Sequence, residues 1–176
     1  METLKRIGII IFAVAALLAA WFFIFGRVPF DRGASAVVPY GGGDMFTLEL
    51  SQEQFGRAPD TLYYSMTNIS DTPWAVMRRP TVERLVDGQW VVLEMNLKNT
   101  NIADAVETIS DGLYEPGDAY SNWVWLRAYG NFFRRGEYRL VLEAFRYEGM
   151  TLADLTEHVC PEGCEHIYMT AGFSVR

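Results

Sequence analysis

Residues 7 through 25 form one unbroken apolar run, Ile7 to Phe25, with no charge, no proline and Gly8 as its single glycine. Such a run divides the chain into a part suited to hydrocarbon and a part that must fold in water. About 20 apolar residues cross roughly 30 Å of bilayer core as a helix, because a helix satisfies its backbone polar groups internally. Lys5 and Arg6 precede the run, Trp21 lies toward its far end and Arg27 follows it. Two cations against Glu2 on the short leading side favour a cytoplasmic N-terminus, a bias that Arg27 and Arg32 weaken. The expectation is a single-pass protein of the cell membrane. Residues 1–27 form the cytoplasmic stub and transmembrane anchor, and the C-terminal domain is extracytoplasmic. The competing reading is a cleaved secretory signal, with Lys5-Arg6 as its charged region and Ala34-Ser35-Ala36 as its cleavage site. The run exceeds the usual apolar core of about 7–15 residues, and Arg27, Asp31 and Arg32 make an awkward spacer. Both readings put the rest of the chain outside the cytoplasm. No cysteine follows the run closely, which argues against a lipid-modified N-terminus.

Residues 1–36 contain Lys5, Arg6, Arg27 and Arg32 against Glu2 and Asp31. Of the chain's 15 Lys+Arg and 22 Asp+Glu, the remainder therefore keeps 11 and 20, a net charge of −9. A surface that acidic is repelled by nucleic acid and by anionic headgroups, so nucleic-acid binding is set aside. Solubility is the ordinary reading of the charge.

A spacer, 28–43, ends in Gly41-Gly42-Gly43 and is expected to be a flexible linker. Beyond it, over 44–176, there is no long helical period, repeat or low-complexity tract. Short β-type runs are punctuated by turn residues instead. Met45 to Leu50 alternates, with Phe46, Leu48 and Leu50 on one side. Thr61 to Asn68 does so with Leu62, Tyr64 and Met66. Thr81 to Val86 and Gln89 to Leu93 flank Asp87-Gly88, a strong hairpin signal because a type I′ turn needs positive φ at both central residues. Glu115-Pro116-Gly117-Asp118 is a further turn, followed by a strand over Ala119 to Leu126. Gly136 to Tyr147 is the most regular strand, with Tyr138, Leu140, Leu142 and Ala144 on one face, and His166 to Val175 closes the series. Only Ala103 to Ser110 and Thr151 to Val159 suit a helical turn or two. About seven alternating strands predict an all-β fold, an immunoglobulin-like β-sandwich behind the single N-terminal transmembrane helix.

The stretches Thr81–Trp90, Glu115–Asp118 and Arg135–Leu140 resemble a bacterial Ig-like domain family over roughly residues 46–148. The shared pattern is a Gly-x-Trp hairpin (Gly88, Trp90), a Pro-Gly turn (Pro116, Gly117) and a Gly-x-Tyr-Arg strand start (Gly136, Tyr138, Arg139). The resemblance implies an Ig-like fold in a Gram-positive surface setting, often behind a membrane anchor, and brings no catalytic residues. Tyr138 also sits where a tyrosine-corner contact forms, with its ring buried and its hydroxyl on nearby backbone. The pattern is lost after Gly149, where a cysteine-bearing loop precedes the last strand.

That loop, His158-Val-Cys160-Pro-Glu-Gly-Cys164-Glu-His166, holds both cysteines and both histidines of the chain. His158, Cys160, Cys164 and His166 could complete a tetrahedral zinc site. Zinc ligand pairs usually stand about a dozen or more residues apart, so that two elements converge on the ion. The preferred expectation is a Cys160–Cys164 disulfide, since neighbouring thiols outside the cytoplasm oxidise. A loop that short adds little global stability. Its three-residue spacer departs from a Cys-x-x-Cys redox site. Trp123 and Trp125 alternate with Val124 and Leu126 and should face outward, with Tyr63 near them if its strand is the neighbour. Such a cluster is a candidate surface for glycan or protein binding, unless a loop such as Thr151 to Val159 covers it as a satellite core. Arg78-Arg79 and Arg134-Arg135 are read as solvated turn cations.

The sequence has no nucleophile elbow, phosphate loop or His-Glu-x-x-His pattern, and both histidines sit in the cysteine loop. With 20 acids past residue 36, composition alone nominates no glycosidase pair. The expectation is a non-enzymatic, cofactor-free module. Its partners are the membrane through the helix and, through one sheet face or the loop from Met150 to His166, a surface protein or cell-wall component. The alternative is a metal-binding or redox-sensing module working through the loop. A structural accessory subunit of a larger membrane assembly is a third reading.

Overall fold

A computed structural model of the chain describes residues 14–18, 20, 30–39, 44–77, 80–95, 112–130, 133–146 and 165–176. Its strands follow from the alternation above. Where apolar side chains recur at every second position, the pleat sends them to one face, and two such faces must cover one another. Eleven strands are present among the described residues: β1 (Phe30–Ala34), β2 (Phe46–Leu50), β3 (Gln54–Phe55), β4 (Thr61–Asn68), β5 (Trp74–Val76), β6 (Thr81–Val86), β7 (Gln89–Glu94), β8 (Gly112–Tyr114), β9 (Ala119–Trp125), β10 (Gly136–Arg146) and β11 (His166–Val175).

They form two sheets. The larger runs β1-β7-β6-β10-β11-β3, with β5 also paired to β10 and β8 paired to β5. The smaller is β2-β4-β9 and antiparallel throughout. Between them lies one core, with Leu62, Met66 and Val124 on the smaller sheet and Val82, Leu140, Leu142 and Phe173 on the larger. Ring contacts tie the layers together. Phe46 of β2 meets Trp74 of β5 edge-on at 5.9 Å, and Tyr114 of β8 meets Tyr120 of β9 at 5.7 Å. Each fully buried aliphatic or aromatic side chain contributes about 1.5–3 kcal/mol, so this core is the main stabilising element.

All seven expected strands are present, and four short ones join them. The most consequential is β1, because it lies in the segment expected to be a flexible linker. Phe30–Ala34 pairs antiparallel with β7, with a bulge between Asp31 and Gly33. The charges and glycine of this stretch hid it, yet neither disfavours a bulged edge strand, where charges are common. The expectation of a free spacer is corrected for these residues; Gly41 to Gly43 lie outside the described ones. Strands β5 and β6 pair with successive parts of one edge of β10, split near Pro80, which has no N–H to give. Strand β10 is buried on both faces: Val141 and Phe145, opposite Leu140 and Leu142, are 4% and 5% exposed.

The turns follow their chemistry. Asp87 and Gly88 have φ of 50° and 81°, the double positive φ of a type I′ hairpin. At Glu115-Pro116-Gly117-Asp118, Gly117 has φ 90° and Asp118 N donates to Glu115 O at 3.0 Å. Asn68 is fully buried; its amide donates to Thr72 O and Tyr114 O, while its Oδ1 accepts from Ser70 N and Oγ.

Val14 to Leu18 are helical and exposed. Among the described residues no helix is long and apolar enough to cross a membrane. Ala20 is likewise helical and exposed; the rest of the Ile7–Phe25 run lies outside them, as do Ala103 to Ser110, Thr151 to Val159 and Arg78-Arg79.

Candidate functional site

Pairing of β4 with β9 sets Tyr63 opposite Trp123 and Thr61 opposite Trp125. Directly opposed residues on one face hold their Cβ atoms about 4.5–5.5 Å apart, and the next pair on that face stands about 7 Å along the strand. The three rings expected to face outward therefore share the outer face of the smaller sheet. Tyr63 is 58% exposed, while Trp123 and Trp125 are half-buried, Trp125 leaning partly on the core. Two adjoining grooves run over them. One, of about 340 Å³, is lined by Thr61, Tyr63, Trp123 and Trp125. The other, of about 530 Å³, passes from Tyr63 and Trp123 to Glu49, Ser65 and Ser121. Both volumes fall within the roughly 300–1,000 Å³ of ligand sites.

Beside the rings, the same face carries Glu49, Ser65 and Ser121 in register across β2, β4 and β9. Of the residues lining the two grooves, only Glu49 carries a charge. At the Trp125 end, Arg127 Nε is 2.7 Å from Asp60 Oδ1, so that cation is already paired.

A second cluster lies on the outer face of the larger sheet. Glu83 of β6 is fully buried and Arg139 of β10 is 5% exposed. Arg139 Nε and Nη2 both lie 2.6 Å from Glu83 Oε2, and Ser35 Oγ donates to Oε1 at 2.5 Å. The guanidinium stands 4.5 Å from the centre of the Trp90 ring, and Nη2 also reaches Val37 O at 3.4 Å. The segment following β1 thus lies over the ion pair. Two residues of the sequence signature, Trp90 and Arg139, meet here, and both touch this cover: Trp90 O accepts from Ser35 N at 2.7 Å and Arg139 reaches Val37 O. Tyr138, beside them, is 1% exposed and donates its hydroxyl to Arg134 O at 2.6 Å, the contact expected of a tyrosine corner. Arg134 and Arg135 are exposed. Gly136 has φ 151°, Gly117 turns at 90° and Gly88 forms the hairpin, so all three signature glycines occupy backbone that disfavours other residues.

Of the cysteine loop only Glu165 and His166 are described. His158, Cys160 and Cys164 lie outside the described residues, and with them both the expected disulfide and the alternative metal set. Among the described residues no group of three or more potential ligands comes together. His166 opens β11, its Nδ1 2.8 Å from Glu143 Oε1. Tyr168 donates to the same oxygen at 3.4 Å. Burial, and then the negative charge of Glu143, raise the Tyr168 pKa above its ordinary 10.0. Sequence reasoning missed both the Glu83–Arg139 pair and this Glu143 group, because each joins strands distant along the chain.

Two β-sheets packed face to face, a type I′ hairpin bearing Trp90 and a tyrosine corner on β10 define an immunoglobulin-like sandwich. The sequence profile of the bacterial Ig-like domain matches residues 43–157, from the start of β2 past the end of β10, and the chain belongs to that family. Among solved structures, the ASH/PapD-like domain of human CEP192 (PapD-like domain 7) is similar over 84% of this chain and 98% of that one. The identity is 12% and the TM-score 0.28. The β-glucosidase from Listeria innocua, in complex with gluconolactone, is similar over 78% of this chain and 17% of that one, at 14% identity and a TM-score of 0.29. No curated protein sequence matches the chain.

Proposed function

We propose that this protein is a membrane-anchored, non-enzymatic contact module whose smaller sheet presents Tyr63, Trp123 and Trp125 to an extracytoplasmic partner. The observation that carries the reading is the exposed aromatic row over two grooves on an otherwise polar sheet face. Large rigid rings bury area at low entropic cost, which is why they dominate binding hot spots. Membership of the bacterial Ig-like family supports an interaction role. Anchoring is supported by the Ile7–Phe25 run and by the exposure of Leu17 and Leu18 at 70% and 61% in its helical part.

The full chain in lipid nanodiscs, mixed with isolated bacterial cell envelopes and sedimented, tests the contact. Envelope binding should weaken about tenfold in Tyr63→Ala and Trp123→Ala, while Tyr168→Phe on the other sheet leaves it unchanged. Binding that ignores both aromatic substitutions would rule the face out. Anchoring is tested by alkaline carbonate extraction: release of the full chain from membranes would refute it.

A further inference from the structure

The aromatic row deepens into a statement about ligand class, one that rests on the contact-module reading above. We propose that the outer face of the smaller sheet binds a neutral, β-linked glycan. Its pyranose faces stack on Tyr63, Trp123 and Trp125, and its hydroxyls are bound by Glu49, Ser65 and Ser121. Three features of the face lead there.

The first is its charge. The groove residues include one carboxylate, Glu49, and no cation. The domain around them is acidic, so a phosphate-bearing or carboxylate-rich ligand would be repelled. The second is the pattern of chemistry across the strands. Rings occupy the Tyr63–Trp123 and Thr61–Trp125 pairs, and hydroxyls with a carboxylate fill the adjoining Glu49–Ser65–Ser121 row. A pyranose has the complementary division, with a flat C–H face to set against a ring and a rim of hydroxyls that donate and accept. Glu49 accepts from two hydroxyls at once, and each serine can do both. The third is shape. The platform is a sheet surface and not a closed pocket, with rings placed both across and along the strands at about 5–7 Å. An extended ribbon lies on such a surface, and β-linked equatorial pyranoses form one. A folded globular partner would need more contact than these two grooves supply.

A cationic peptide is the rival occupant, because aromatic faces and Glu49 also attract ammonium groups. Salt separates the two. A neutral glycan gains nothing from long-range charge, whereas a cationic peptide weakens as the Debye length shrinks.

The test uses the full chain in a zwitterionic, sugar-free detergent. Titrations with cellohexaose, chitopentaose and an oligolysine peptide are followed by calorimetry and tryptophan fluorescence. The expected result is glycan binding that shifts the fluorescence and stays constant between about 0.05 and 0.5 M salt. Tyr63→Ala should weaken it about tenfold. Tyr63 is exposed, so the truncation leaves the core intact, and a circular dichroism spectrum checks that the variant folds. Glu49→Gln should cost the glycan a few-fold at most. Silence from both glycans overturns the proposal. If envelope binding then remains sensitive to Tyr63→Ala, the contact face stands and only the ligand class has failed. If envelope binding is insensitive too, both readings fall. Oligolysine binding that fades with salt and with Glu49→Gln, with no glycan response, replaces the glycan by a cationic segment.

Discussion

Arg139→Met should be among the most damaging single changes available outside the apolar core. The guanidinium supplies two donors to Glu83 Oε2 at 2.6 Å, and the carboxylate is fully buried. Its removal leaves Glu83 with Ser35 Oγ as its remaining described donor. Hydrogen bonds to charged groups contribute about 1.5–3 kcal/mol each, and breaking a buried pair from one side costs about 3–5 kcal/mol. Loss of the stacking on Trp90 adds about 0.5–1 kcal/mol. The expected total is about 4 kcal/mol, a large part of a domain's net stability of about 5–15 kcal/mol. Substituting both partners, Glu83→Leu with Arg139→Met, removes the stranded charge as well as its partner. The double variant should lie within about 1 kcal/mol of the natural protein, because apolar replacement of a buried pair is often neutral or better. Urea unfolding of the full chain in detergent, followed by tryptophan fluorescence, gives the midpoints and slopes. A single variant costing under about 1 kcal/mol would mean that water reaches the pair, and a double variant no better than the single would refute the stranded-charge argument.

Ser35→Ala should cost about 1–2 kcal/mol, since it removes a donor to a buried carboxylate. It should also hasten proteolysis within residues 36–43; an unchanged cleavage rate would show that the hydroxyl does not hold the segment. Tyr138→Phe keeps the ring and loses the bond to Arg134 O, so a loss of about 0.5–1.5 kcal/mol is expected in the same unfolding assay, and none would remove the tyrosine corner from the account. Tyr168 holds its proton longer in the folded chain than unfolded, because its pKa is raised. Its stabilising contribution is therefore complete below pH 10.0 and declines as pH rises above it. The difference between ultraviolet titrations of the natural chain and Tyr168→Phe should show a late tyrosine transition, and Glu143→Gln should move it downward; a fixed transition would exclude the carboxylate as a cause.

Where a strand buries one face and is long enough to show a period of two, the sequence made it legible. Strands β4, β6 and β11 run over the expected residues, as does β10 over Gly136–Arg146, with Tyr147 outside the described residues. The missed strands had no period to show. Gln54–Phe55 and Gly112–Tyr114 are too short, and Trp74–Val76 is buried at every position. Phe30–Ala34 reads as linker because its sequence shows no apolar alternation, and what reveals the strand is its pairing with β7. The same distinction holds for the sites. Outward placement of Trp123 and Trp125 follows from alternation, but the partnership with Tyr63 needs the β4–β9 register. Arg139 reads as a signature residue with no partner assigned, and only the folded sheet brings it to Glu83 under Ser35 and Val37. The cysteine loop offered the densest chemistry in the sequence, and three of its four candidate ligands lie outside the described residues.

The pairing of β1 with β7 has a consequence for distance. In the anchored arrangement proposed above, the chain between the bilayer and residue 30 is a leash on the domain. While residues 30–37 lie along the larger sheet, the sandwich is held close to where that leash ends. Peeling those residues away would pay out about 25–30 Å of extended chain without disturbing the core between the sheets. The Ser35 and Val37 contacts would then act as a catch that sets how far from the membrane the aromatic face can reach.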